Sequence, residues 1–290
     1  MASGYVSITP RARRLAGLAE FRQGRRGGTA PARSDELRNP DRTMALNTQS
    51  ITSALKEPTV LALDSAGSGC SVVVSTGETV LAAERCTTAH GQAERLLVMV
   101  DAVMRKSGLS RSALDIVGAT VGPGSFTGIR VGLAAVRGIA LATGARSVGV
   151  TGFEAVAAGL APRADERESG FLLVALESRR EDLYVQLLDY AHRPLGGPTA
   201  ASPAALAKAL SDLIGEAPLL VAGDAAQRAA DMLLPRSDMI IVEESAPDAA
   251  SVLRAVLRRA RESENLPKPL PLYLRPPDVT VSTAHQGPGR

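Results

Sequence analysis

Apolar and polar positions along this chain keep two rhythms, and the switches between them outline the fold. Val60 to Leu63 is a short continuous apolar run ending in Asp64-Ser65-Ala66-Gly67-Ser68-Gly69. Ser71 to Val74 follows after that glycine-rich turn, and Thr79 to Glu84 follows Thr76-Gly77-Glu78. Runs of this length with tight polar breaks predict three strands in an antiparallel meander. The rhythm then lengthens: His90 to Ser107 places Ala93, Leu96, Leu97, Val100, Val103 and Met104 on one helical face, stopped by Gly108. Leu114 to Val121 returns as a strand, and Phe126 to Thr143 is a second helix with Ile129, Gly132, Leu133, Val136, Ile139 and Ala140 in one stripe. Gly144 ends it, and Val148 to Val150 makes a short buried strand. Gly128 and Gly132 lie four apart, so another helix could approach that flank closely.

After Thr151-Gly152 the pattern starts again. Phe153 to Leu160 reads as a short helix, Ala161 to Gly170 as a polar loop, and Phe171 to Leu176 with Leu183 to Tyr190 as a hairpin across Glu177-Ser178-Arg179-Arg180-Glu181. Pro203 to Ile214 is a helix, Leu219 to Ala222 a strand ending in Gly223-Asp224, Ala225 to Leu234 a helix, Met239 to Val242 a strand and Pro247 to Ser263 the last helix. Strands come first and helices after in both halves, which predicts two α/β subdomains, the second smaller and less regular. The expected boundaries are a leader over residues 1–57, a first subdomain over 58–151, a second over 152–278 and a disordered tail over 279–290.

The sharpest local signal is Val121 to Leu133, where Gly122-Pro123-Gly124 joins a strand to a helix start. Glycine there permits positive φ and close approach, and Ser125 or Thr127 offers a hydroxyl to the first helical turn. One reading is an anion or nucleotide site at the helix N-terminus; the plainer one is a chain reversal whose glycines serve packing. The spacing matches neither a dinucleotide fingerprint nor a P-loop, since Arg130 follows where a P-loop wants Gly-Lys-Ser/Thr.

Composition changes the picture at the edges. A chain of 290 residues with 45% apolar residues can build two cores, and with no Trp, four Phe and four Tyr these are made of Leu, Val, Ala and Ile. The net charge of +3 is concentrated in the leader, which holds ten basic residues against five acidic ones and is read as disordered. A transit peptide, an RNA-touching arm or a start placed too early, with Met44 the true one, are the other readings of that leader. The remainder carries a net −2, which excludes the basic surface of a stand-alone nucleic-acid binder. Cys70 and Cys86 fall in neighbouring strands and are read as two buried thiols, with a disulfide between them the alternative. No run approaches 18 uninterrupted apolar residues, and a cytoplasmic chain making no membrane contact is expected.

Leu61-Ala62-Leu63-Asp64-Ser65-Ala66 with Cys70-Ser71-Val72, His90 with Glu94-Arg95-Leu96-Leu97, Gly122-Pro123-Gly124-Ser125-Phe126-Thr127-Gly128-Ile129-Arg130-Val131-Gly132 and Tyr273-Leu274-Arg275 together resemble the TsaB (YeaZ) family. The resemblance covers about Thr59 to Asp278. It implies the actin-like, Hsp70-like and sugar-kinase-like ATPase fold with a reduced second subdomain, and kinship with the paralogue TsaD. It also implies a role in placing threonylcarbamoyl on adenosine 37 of tRNAs reading codons that begin with adenine. In that family TsaB is a non-catalytic partner that binds and activates TsaD, with TsaE as an ATP-hydrolysing third member reached through the heterodimer, tRNA met only indirectly and a homodimer formed by TsaB alone.

The residues agree with a chain that works by contact. TsaD-like sites hold a metal through paired histidines on one helix, whereas His90, His192 and His285 are isolated. No metal site and no catalytic residue are therefore expected, although the family carries inherited transferase and peptidase labels. Asp64 stands where such ATPases keep the Asp of their first phosphate loop, but Ser65-Ala66-Gly67 brings no cation, so turn chemistry is preferred over Mg-nucleotide binding. Should a nucleotide bind, Asp64, Gly122, Gly124 and Ser125 are the candidates, with ATP or ADP held only at a composite interface. The resemblance places the partner surface on the first two helices, with its exposed members expected among Leu96, Val100, Val103, Met104, Arg130, Leu133, Val136 and Arg137. The rival readings are an ATPase or kinase using Asp64 and the Gly122–Gly128 turn, and a metallopeptidase.

Overall fold

A computed structural model describes residues 57–87, 92–160, 170–189, 191–215, 217–233, 239–241, 245–263 and 265–275. The expected leader, His90, His285 and the tail over 279–290 lie outside the described residues. The first sheet consists of β1 (Thr59–Asp64), β2 (Cys70–Thr76), β3 (Thr79–Cys86), β4 (Ile116–Thr120) and β5 (Arg146–Val150), in the order β3-β2-β1-β4-β5. The meander is antiparallel, and β1, β4 and β5 run parallel. β1 and β4 are buried throughout, as parallel strands covered on both faces must be. Helices α1 (Gln92–Ser107) and α2 (Phe126–Thr143) cover one face, burying Leu96, Val100, Val103, Met104 and Val136 against Leu61, Leu63, Val72, Val74 and Val117.

The second sheet repeats this plan. Its strands are β6 (Phe171–Glu177), β7 (Leu183–Asp189), β8 (Thr199–Ala201), β9 (Leu219–Ala222) and β10 (Met239–Ile241), in the order β10-β9-β6-β7-β8. Again the first three form an antiparallel meander and the first, fourth and fifth run parallel. Two copies of one β-sheet topology in one chain are the architecture of the actin-like ATPase fold, with α3 (Gly152–Gly159), α4 (Pro203–Ile214) and α5 (Ala226–Met232) shorter than α1 and α2.

The last helix, α6 (Ala249–Glu262), departs from the expected boundary. It was expected with the second subdomain, yet it packs on the far face of the first sheet, where Val252, Leu253, Val256 and Leu257 meet Val60, Ala62, Ile116 and Val148. The reason is geometric: α1 and α2 cover only one face of β1 and β4, and the other needs its own apolar cover. Gly118 on β4 fits this contact, for a Cβ there would lie 2.5 Å from Val256 Cγ2. α3 sits between the halves, with Ala155 in the α6 layer and Phe153, Val156 and Ala157 against Leu172 and Val174 of β6. Thr151 caps it in a two-way box with Glu154.

From α6 the chain returns as an extended strap. Pro267 O accepts from Gly149 N at 3.0 Å, Leu272 N donates to Val121 O at 2.8 Å, and Arg275 pairs with the buried Asp182 beside β7. The strap thereby ties both sheets together.

Candidate functional site

The turns at the carboxyl ends of β1, β4, β6 and β9 converge on one cleft of about 290 Å³. In α/β sheets ligands meet the protein at this end. One wall is Ala66, Gly67 and Ser68 with Pro123, Gly124 and Ser125; the other is Leu176 to Arg179 with Tyr184 and Asp224. Gly124 has φ +152°, and a Cβ on it would fall 2.3 Å from Ala66 O. That closeness lets Ser125 N donate to Ala66 O at 2.7 Å and locks the two turns together. Ser125 is the N-cap of α2, its hydroxyl accepting from Gly128 N at 3.2 Å. The Gly128–Gly132 flank is approached by a turn rather than by a helix: Ser65 Oγ donates to Gly128 O at 2.8 Å and lies 2.6 Å from where a Gly132 Cβ would stand.

The opposite wall is acidic. Asp224 Oδ1 accepts from Glu177 N at 2.9 Å. Glu177 is in turn held by Arg228, whose Nη1 lies 2.8 and 2.6 Å from its two carboxylate oxygens. Arg228 Nη2 also donates to the carbonyls of Arg180 and Glu181, bracing the β6–β7 turn. Arg179 sits at the tip of that turn with φ +61°. Beside the cleft a second groove of about 170 Å³ is lined by Phe126, Arg180, Tyr184 and Leu272 to Arg275. Here the Arg130 guanidinium lies 3.7 Å over the Phe126 ring and its Nε donates to the Tyr273 hydroxyl at 3.2 Å.

Of the four nucleotide candidates, Gly124 and Ser125 front the cleft, while Asp64 and Gly122 lie behind it. Asp64 is 4% exposed, and burial raises its carboxyl to about 6. The neighbouring Thr120 hydroxyl, itself without a hydrogen-bond partner, and the Ala66 amide at 3.4 Å bring it only part of the way back. Among the described residues no three His, Cys, Asp or Glu side chains converge as metal ligands. His192 occupies a turn with φ +60°, its backbone N donating to Asp189 O, and burial lowers its imidazole below the usual range.

The expected partner residues need correction. Leu96, Val100, Val103, Met104, Leu133 and Val136 are all buried within this chain, because the apolar stripes of α1 and α2 are what hold those helices to their own sheet. Arg130 is stacked on Phe126, and Arg137 donates to Pro269 O of the strap at 2.7 Å. What the two helices show outward is Leu97 and Val98, 56% and 65% exposed, and Leu141, 89% exposed. Leu97 was expected on the same helical face as Leu96 and Val100. The available signal was apolar residues beyond the width that one stripe needs. The cleft residues Glu177 and Asp224 were also missed, although Ala175-Leu176-Glu177-Ser178 echoes Ala62-Leu63-Asp64-Ser65 at the same point of the repeated plan.

Comparison with known proteins places the chain. The family model for TsaD, the tRNA N6-adenosine threonylcarbamoyltransferase, matches residues 84–218. An uncharacterized protein of Mycobacterium tuberculosis strain H37Rv is 33% identical over 224 residues, 76% of this chain and 93% of its own length. The tRNA threonylcarbamoyladenosine biosynthesis protein TsaB of Escherichia coli strain K12 is 34% identical over 128 residues. The chain belongs to the TsaB (YeaZ) family. The match to Escherichia coli TsaB covers 43% of this chain and 52% of TsaB. YeaZ of Pseudomonas aeruginosa shares the fold, with a TM-score of 0.59 and 22% identity over 75% of this chain and all of that one. In this TsaB-family member the sheet topology agrees with that likeness, and the motif-bearing turns meet at the cleft.

Proposed function

We propose that this chain is a non-catalytic partner that docks on a TsaD-type enzyme and supports formation of threonylcarbamoyladenosine at position 37 of tRNA in the cytoplasm. The observation that carries it is the apolar outer end of α2, where Ala134, Gly138, Leu141 and Ala142 are exposed. Its 18 residues have a mean hydropathy of 1.3, long and apolar enough to cross a membrane, yet only a third of them are buried. Apolar residues left exposed together on such a helix mark a contact surface. The inner face is covered by the sheet through Ile129, Leu133 and Val136. The outer face shows Thr127, Arg130, Ala134, Arg137, Gly138, Leu141 and Ala142, its two arginines turned to Phe126 and Pro269 of this chain and its C-terminal end apolar, with open space around Gly138. Ile129, Leu133 and Val136 lock α2 into a sheet-bound layer, so the cover for the outer face is a protein surface rather than lipid. The resemblance of the chain to TsaD itself supports a partner of the same fold.

A sealed Asp64 supports contact over phosphate chemistry in the lone chain, since the carboxylate at the first phosphate-loop position does not reach the cleft and Glu177 on the far wall is already paired with Arg228. ATP or ADP, TsaE and a homodimer belong to the assembled state in this reading. The experiment is reconstitution with TsaD, TsaE and a threonylcarbamoyl-adenylate supply from the same cell. The chain alone transfers nothing; added to the others it restores modification. Leu141→Asp, on the uncovered face, weakens TsaD binding about tenfold or more while leaving the melting temperature of the free chain unchanged. Robust modification without the chain, or turnover by the chain alone, overturns the proposal. Titration with Mg-ATP separates the ATPase reading: micromolar binding by the lone chain, lost in Asp64→Ala, would favour it.

A further inference from the structure

The end of the β2–β3 hairpin carries a sulfur cluster that the docking role does not use. Cys70, the first residue of β2, is the direct cross-strand partner of Cys86, the last residue of β3. Directly opposed residues of an antiparallel pair have Cα atoms about 4.5–5.5 Å apart, inside the roughly 4.4–6.8 Å range that a disulfide spans. Both side chains turn to the same side. Cys70 is buried with Leu96, Met99 and Val100 of α1, and Cys86 packs against that cluster from its rim. The Cys70 thiol lies 3.6 Å from Met99 Sδ, and Arg95 Nη1 lies 3.1 Å from Cys86 Sγ.

We propose that Cys70 and Cys86 are a modification site, a dithiol that exchanges with small-molecule disulfides to form a reversible staple across the β2–β3 edge at the root of α1. The two thiols differ in the way that such exchange requires. Cys86 is only partly buried, and the Arg95 guanidinium is placed to stabilise the thiolate that attacks. Cys70 is buried, and burial together with the facing Cys86 pushes its thiol up, so it is the second to react. Cys86 sulfur bonds to one sulfur of the small disulfide as the S–S bond breaks and the first small thiolate leaves. Cys70 sulfur then attacks the Cys86 sulfur of the mixed disulfide, and the second small thiolate leaves. Two protein thiols are oxidised, one disulfide is reduced to two thiols, and the two protons given up by the cysteines end on the departing thiolates. The staple closes the sheet edge covalently and removes the thiol that Arg95 contacts, one turn before the exposed Leu97 and Val98.

The test treats the full folded chain with oxidised glutathione, blocks remaining thiols and weighs the intact protein. The expected product has lost two hydrogens and carries no glutathione, with one intrachain Cys70–Cys86 link in the unreduced digest. Its melting temperature is raised by on the order of 5 °C and falls back with dithiothreitol. Cys70→Ser traps a single glutathione adduct on Cys86, and Arg95→Gln slows the first step on the order of tenfold. Glutathione remaining on either cysteine of the full chain, two unreacted thiols or linkage between chains overturns the proposal. Should the serine variant fail to fold, the mass and digest of the unsubstituted chain decide alone.

Discussion

Replacing Asp64 by Asn tests whether this carboxylate is a relic sealed in the fold or a working group. Its titration at about 6 rather than 3.8 is caused first by burial, so the folded state favours the protonated form. The sign follows directly. The unfolded chain releases this proton near pH 4 while the folded chain holds it to about pH 6, so stability falls as pH rises through that window and the penalty is complete above it. A shift of about two units corresponds to about 3 kcal/mol. Asn removes the penalty at nearly constant volume. Its oxygen can accept from the Ala66 amide as Asp64 does at 3.4 Å, and its NH₂ can donate to the Thr120 hydroxyl, which has no hydrogen-bond partner. The variant is therefore expected to be about 1–3 kcal/mol more stable than the parent at pH 7.5 and level with it at pH 4. Urea unfolding at half-unit pH steps measures this, with the difference between the two proteins cancelling every other titration. An Asp64→Asn variant less stable than the parent at pH 7.5, or a difference that does not change between pH 4 and 7, would refute the reasoning and show the charge to be compensated.

Gly132→Ala places a Cβ 2.6 Å from Ser65 Oγ and is expected to destabilise by about 1–2 kcal/mol; the double variant with Ser65→Ala relieves the clash and regains stability, helped by about 1 kcal/mol of helix propensity. Gly118→Ala drives a methyl into Val256 Cγ2 at 2.5 Å and is expected to cost about 1–3 kcal/mol in thermal or urea unfolding by lifting α6 from the first sheet. Val256→Ala added to it should recover part of that loss, and no loss in the single variant would contradict the packing of α6 described above.

Local order was legible wherever a terminator stood in the chain. Phe126–Thr143 is bounded by the Gly122-Pro123-Gly124 break and by Gly144, which closes the helix in the left-handed region at φ +77°. Pro203–Ile214 opens on Ser202-Pro203, a capping hydroxyl before a proline at the first helical position. What the pattern could not convey was which surface an apolar stripe meets. The stripe on α6 was visible, but periodicity records only that a face is apolar. Its partner sheet lies far back in the chain. The same limit kept Leu96, Val100 and Val136 among the residues considered for exposure, although they are the inner seam. Ala134 and Gly138 on the outer line carry little hydropathy signal. The Leu266–Arg275 strap has no periodicity, and β8 is three small residues, Thr-Ala-Ala. At the cleft the first-half glycines were legible and the second-half acids were not, because Glu177 and Asp224 gain their meaning only from the turn that Arg228 braces.

The repeated sheet plan allows the two halves to be compared as one ancestral turn in two settings. Ala62-Leu63-Asp64-Ser65 and Ala175-Leu176-Glu177-Ser178 both bring an acid to the carboxyl end of the first strand. In the first half the acid is covered, with the Ala66 amide and the Thr120 hydroxyl beside it and the charges of Asp248 and Arg85 acting on it in opposite senses. In the second half it fronts the cleft and is engaged by a guanidinium and by the turn that Asp224 anchors. Neither setting leaves a carboxylate oriented by neighbours toward a ligand held in the cleft, because one is buried and the other is already paired. The uncovered apolar surface lies elsewhere, along the outer line of α2. The acids of this fold are spent on its own turns, and the exposed Gly138 and Leu141 of α2 are the surface on which the proposed docking rests.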